Sequence, residues 1–139
     1  MERYEIGFRL RNNLSELETL RARVDQFKTE AGISEKAIFE INLILDELFT
    51  NIVSCGYRDL GEHWVTFTLS REGTLVTLCV SDDGVPFNPT EAAPFDPKCQ
   101  VEERRIGGVG IHLVRSLTDG MTYCRTEDGN TITLRKKLV

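Results

Sequence analysis

No run of apolar residues in this chain approaches the roughly 20 that a membrane-crossing helix needs, and "MERYEIGFRL" lacks the apolar core of a signal peptide. A cytoplasmic protein without membrane association is therefore expected. The four cysteines, Cys55, Cys79, Cys99 and Cys124, stand far apart with no Cys-x-x-Cys pair, which argues for reduced thiols and against a zinc site or disulfide framework. Excess positive charge is also missing. With a formal net charge of −5, the basic face that direct nucleic-acid binding requires is not expected, whereas a polyanionic ligand needs only a local positive site. Proline is absent everywhere except between Pro86 and Pro97, where all four lie, so that stretch is not expected to be a regular element. Repeats, low-complexity tracts and interdomain linkers are lacking too, and 139 residues of 40% hydrophobic content fit a single domain, 1–139, with a sizeable core.

What is present has a clear order. "YEIGFRL" alternates as a strand does. Asn13 or Ser15 can cap a following helix that runs to about Ala31, turns Leu17, Leu20, Val24 and Phe27 inward, and stops at Gly32. Ser34 opens a second helix, with Glu35 in its first turn, in which Leu45, Leu48, Ile52 and Cys55 form an apolar stripe. "WVTFTLS" and "TLVTLCVS" make a hairpin around "REG", and "MTYCRTE" and "TITLRKKL" make another around "DGN". Between the hairpins, "IGGVGIHLVRSLTDG" is a glycine-rich turn opening a short helix. The order β-α-α-β-β-loop-α-β-β predicts an α+β two-layer sandwich, a mostly antiparallel sheet covered by helices on one face.

Three segments carry chemistry. Glu47 and Asn51 lie one turn apart, on a shared face of the second helix bordered by Ile44, Leu48 and Ile52. An enclosed carboxylate is costly unless paired, and an amide oxygen beside it suits a hard cation such as Mg²⁺. In "VSDDGVPFNP", Asp82 and Asp83 follow a strand and Gly84 permits a tight turn; a carboxylate fixed at a strand end can accept from an exocyclic amine such as adenine's. In "RRIGGVGIHLV", Gly107, Gly108 and Gly110 let backbone N–H groups face an anion at a helix start. This coil is neither a Rossmann nor a P-loop fingerprint, since no strand precedes it and no Gly-Lys-Ser/Thr follows. Holding a triphosphate there calls for the metal and for Arg104 or Arg105. The Pro-rich insertion, about 85–107, reads as a lid. Both histidines, His63 and His112, read as residues without a special role, in a turn and on an exposed helix face.

With these motifs in this order the chain resembles the Bergerat-fold ATPases, and among them it is most similar to the bacterial anti-sigma-factor serine/threonine kinases. The likeness runs from the first strand to "TITLRKKL". It implies that Asn51, in "DELFTNIVSCGY", binds ATP and holds Mg²⁺, and that Glu47 acts as general base or orients the nucleophile. It further implies that Asp82 binds the adenine amine, that Gly84 lines the base pocket, that Gly108, Val109 and Gly110 face the phosphates, and that Thr131 supports the adenine site through water. Pro86 stands where the second glycine of the aspartate motif usually lies, and Cys55 stands where a histidine is common. The activity implied is ATP-dependent phosphorylation of an anti-anti-sigma factor, controlling the supply of a sigma factor, by a homodimer that touches neither DNA nor membrane. A rival of another class shares every nucleotide residue: a module that sequesters its partner in an ATP-dependent way without transferring phosphate.

Overall fold

Backbone chemistry sets where the elements begin and end. The computed structural model describes residues 3–57, 59, 61–86 and 112–138. After the first strand, β1 (Arg3–Arg11), the Asn13 side chain accepts from Ser15 N and starts a 3₁₀ turn, Leu14–Glu16, that leads into α1 (Leu17–Ala31). Helix α1 stops at Gly32, whose φ of 70° suits a residue without Cβ. Its last carbonyls are met by Arg71, which donates from Nη1 to Ala31 O and Gly32 O, each at 2.8 Å. Ser34 then caps α2 (Glu35–Cys55) by accepting from Ala37 N.

The remaining described strands are β2 (Trp64–Glu72), β3 (Leu75–Asp82), β4 (Gly120–Thr126) and β5 (Gly129–Lys137), with a helical stretch at 112–117 before β4. They form one sheet in the order β1-β2-β3-β5-β4, every described pairing antiparallel. This is the expected α+β sandwich. Alternation puts Val65, Phe67 and Leu69 of β2, Val76, Leu78 and Val80 of β3, and Ile132 and Leu134 of β5 on the helix side, all buried. Leu20, Val24 and Phe27 of α1 and Ile41, Leu45, Leu48, Phe49 and Ile52 of α2 close over them. Phe67 stacks on its cross-strand partner Phe8 with centroids 5.1 Å apart and meets Phe49 of α2 at 6.0 Å, tying β1 to β2 and the sheet to the helix layer. Lys136 continues the inward row of β5 and is 7% exposed, held by Glu40 of α2 at 2.7 Å and by Leu117 O at 2.7 Å. No helix among the described residues is long and apolar enough to cross a membrane.

Candidate functional site

Helix α2 brings its two polar residues together. Asn51 is 5% exposed, and its Nδ2 donates to the backbone oxygen of Glu47 at 2.8 Å. That bond fixes the amide and leaves its oxygen as the outward acceptor. The Glu47 carboxylate oxygen Oε2 is buried and has no hydrogen-bond partner among the described residues. Burial, and secondarily the charge of Asp46, hold the Glu47 carboxyl above its ordinary range. Asp46 is itself raised by burial against the opposing pull of Arg21, 3.3 Å away. The fixed amide oxygen fits a hard cation that takes its other ligands from phosphate oxygens and water, the usual mode of Mg²⁺, and the orphaned carboxylate oxygen one turn away is left for a proton. It does not fit an all-protein cage, and no cluster of three or more acidic, histidine or cysteine ligands occurs among the described residues.

The Asp82 turn is tied to the end of that helix. Asp82 Oδ1 accepts from Gly84 N at 2.8 Å, closing an Asx turn where β3 ends. Val85 N donates to Gly56 O, the residue after α2, at 2.7 Å. Gly84 has to be glycine here, since a Cβ would sit 2.2 Å from Gly56 O. Asn51 precedes Gly56 by five residues, about 7.5 Å of helix, so the amide and the aspartate turn occupy the same end of the helix layer. Burial pushes the Asp82 carboxyl up, while bonds from Asn130 and Gly84 pull against it.

Other groups hold the turn that the sequence did not single out. Asn130 Nδ2 donates to Asp82 Oδ1 at 3.0 Å and to Val85 O at 2.8 Å, and Arg125 Nη1 donates to Gly84 O at 2.7 Å. Gly129, with φ of 148°, lets β5 run under the turn, because a Cβ would lie 1.8 Å from Asp82 O. Thr131 is not brought to Asp82. Its hydroxyl lies on the opposite face of β5, 3.1 Å from Ser81 Oγ, while Asn130 takes the face that Asp82 shares. The signal was present in "NTITL": Ile132 and Leu134 are the inward residues, and Asn130, not Thr131, is in phase with them.

His63 also departs from its expected reading. Its Nε2 lies 2.9 Å from Asp59 Oδ1, its Nδ1 lies 3.1 Å from Asp83 Oδ1, and its ring stacks on Tyr57 with centroids 4.3 Å apart. His112 is exposed, as expected. Arg104, Arg105, Gly107, Gly108, Val109 and Gly110, and the lid from residue 87 onward, lie outside the described residues.

Comparisons with known proteins bear on the family and the fold. The profile of the histidine kinase-like ATPase domain matches residues 10–136. The chain is 28% identical over 101 residues to the serine/threonine-protein kinase BtrW of Bordetella bronchiseptica, an alignment covering 73% of this chain and 71% of that protein. It is 30% identical over 103 residues to the serine-protein kinase RsbW of Listeria monocytogenes, covering 71% of this chain and 66% of that one. Among solved structures, the RsbU and RsbW domains of Rv1364c from Mycobacterium tuberculosis superpose with a TM-score of 0.66 at 20% identity, over 97% of this chain and 32% of that chain. The chain thus spans about a third of that solved structure and about two thirds of the kinase RsbW.

Proposed function

Because the chain belongs to the histidine kinase-like ATPase domain family, we propose that it binds ATP and Mg²⁺ where α2 meets the Asp82 turn and transfers the γ-phosphoryl group to a serine or threonine of a protein partner. The relatives are serine or serine/threonine-protein kinases by name, and the partner we propose, on the resemblance to anti-sigma-factor kinases, is an anti-anti-sigma factor, with a sigma factor as the target ultimately controlled. The observation that carries the reading is the buried, unpartnered Glu47 Oε2 one turn before Asn51. Asn42 Oδ1, Asp46 Oδ1 and the Tyr57 hydroxyl are also buried without a partner among the described residues, but Glu47 alone is a carboxylate one turn from the fixed Asn51 amide, where a ligand or a proton can meet it.

In this scheme Asp82 accepts the adenine amine, Gly84 gives the base room, and Asn51 offers its amide oxygen to the metal. When bound, the ion neutralises phosphate charge. Glu47 takes the proton of the attacking hydroxyl, and its raised carboxyl is a better base for that than an ordinary glutamate. Phosphoryl transfer passes through a loose transition state, so most of the acceleration comes from positioning. Gly108, Val109 and Gly110, with Arg104 or Arg105, complete the proposal as the phosphate coil.

The test is incubation with γ-labelled ATP, Mg²⁺ and a cognate anti-anti-sigma protein. Phosphoserine or phosphothreonine on the partner supports the kinase. ATP-dependent complex formation without label transfer replaces it with the sequestering module. A melting temperature unmoved by saturating ATP and Mg²⁺ removes the nucleotide site altogether.

A further inference from the structure

We propose that Asn130 is the positioning residue that aims the Asp82 carboxylate at the exocyclic amine of the base, through a relay running Tyr123–Asn130–Asp82, and thereby sets the nucleotide's base specificity. The proposal rests on reading this site as an ATP site.

The relay is built from side chains that β-sheet alternation places on one face. Tyr123 and Ile132 are cross-strand partners, as are Arg125 and Asn130, so Tyr123, Arg125 and Asn130 all face the helix side where Asp82 ends β3. Asn130 is 3% exposed. Its Nδ2 donates to two groups that only accept, Asp82 Oδ1 and Val85 O, and its Oδ1 accepts from the Tyr123 hydroxyl. One orientation of the amide satisfies all three contacts; the flipped amide would set oxygen against oxygen at two of them. The acceptors Asp82 Oδ1 and Val85 O therefore set which way the amide faces, the Tyr123 hydroxyl steadies it by donating to Asn130 Oδ1, and the amide in turn holds the carboxylate.

The consequence lies in how the two oxygens of Asp82 divide. Oδ1 receives both Gly84 N and Asn130 Nδ2. Oδ2 receives no hydrogen bond from a described residue, so the carboxylate presents one clamped acceptor to a ligand. A 6-amino purine offers a donor to that oxygen. A 6-keto purine offers a second acceptor, and a purine bare at C6 offers nothing. A carboxylate free to rotate would discriminate less, because either oxygen could turn to solvent. Arg125, bonded to Gly84 O, holds the backbone of the same turn from the same hairpin.

The experiment measures affinity of the full chain with Mg²⁺ for ATP, for inosine triphosphate and for purine riboside triphosphate by calorimetry. Wild type is expected to prefer ATP over both by at least about tenfold. In Asn130→Ala that preference should collapse, with ATP weakened about tenfold and the two analogues held within about twofold. Tyr123→Phe removes one hydroxyl, should fold, and should show the same collapse to a smaller degree, which keeps the question open to decision if Asn130→Ala does not fold. Equal weakening of all three nucleotides would mean that Asn130 only supports the fold, and an unchanged preference in both variants would remove the relay; either overturns the proposal. A wild-type protein that binds none of the three overturns the ATP reading itself, a failure separable from that of the relay.

Discussion

Glu47 is where stability and the proposed function pull apart. The buried Oε2 without a partner means that the charged form is disfavoured in the folded chain, and burial holds the carboxyl above its ordinary value of 4.5. A raised carboxyl contributes a stability deficit that is present above the folded value and relieved as pH falls through it. Glu47→Gln removes the charge at nearly constant shape, so the apo protein should melt a few degrees higher at neutral pH, a gain of about 1 kcal/mol. The same variant should keep ATP binding and lose phosphotransfer, since the base is gone. Thermal melts alongside a labelled-ATP transfer assay check both halves; a variant that transfers phosphate at the wild-type rate takes Glu47 out of the chemistry. Asn51→Ala is expected to behave differently. It deletes the amide oxygen offered to the metal, so nucleotide binding should lose its dependence on Mg²⁺, measured as the ratio of ATP affinities with Mg²⁺ and with chelator. Both residues were legible in the sequence because a carboxylate and an amide interrupt an otherwise apolar helical face, and α2 has no structural use for them there.

At the scale of elements, β5 shows both what alternation reveals and where reading by motif misleads. Asn130, Ile132, Leu134 and Lys136 are all buried, and the residues between them face the other way. Matching a threonine to the late strand points to Thr131, which pairs with Ser81 on the other face; Asn130 is the residue in phase with Ile132 and opposite Asp82. A tight approach such as Gly129 beneath Asp82 left no such trace, because it depends on two strands that are 47 residues apart meeting at their ends. The same row ends in Lys136, whose ammonium meets Glu40 with only 9% of the lysine side chain exposed. Removing one partner of so enclosed a pair strands the other charge. Lys136→Met alone should cost about 3 kcal/mol, and adding Glu40→Leu should recover most of it. Urea unfolding of the two single variants and the double variant measures the coupling; losses that simply add would show the pair to be independent of one another.

For the molecule as a whole, the helix layer and the sheet are joined at the Asp82 end by backbone from one side and by His63 from the other. Element order, helix caps and hairpins were legible locally, so the fold followed from the sequence. The His63 bridge was not, because its partners Asp59 and Asp83 lie on either side of β2 and β3 and nothing in a linear pattern pairs them. The bridge links the segment after α2 to the residue beside Asp82, so it stabilises the turn proposed to hold the base. Its electrostatics have a definite sign. The bonds to Asp59 and Asp83 hold His63 above its ordinary 6.5, so its contribution is complete below 6.5 and is lost as pH rises through the raised value. His63, with Gly61 N, holds Asp59 below its ordinary 3.8, so that contribution is complete above 3.8 and is lost only as pH falls through the lowered value. The bridge is therefore at full strength between those limits. The wild-type melting temperature should fall, relative to that of His63→Gln, as pH is raised above 6.5. Salt should shrink the difference, since the Asp59 and Asp83 side chains are 65% and 54% exposed. Melts of both proteins from pH 5.5 to 8.5 at low and high ionic strength decide the matter: parallel curves would mean that His63 is held by stacking on Tyr57 alone, and that the turn owes its position to Asn130, Arg125 and Gly56.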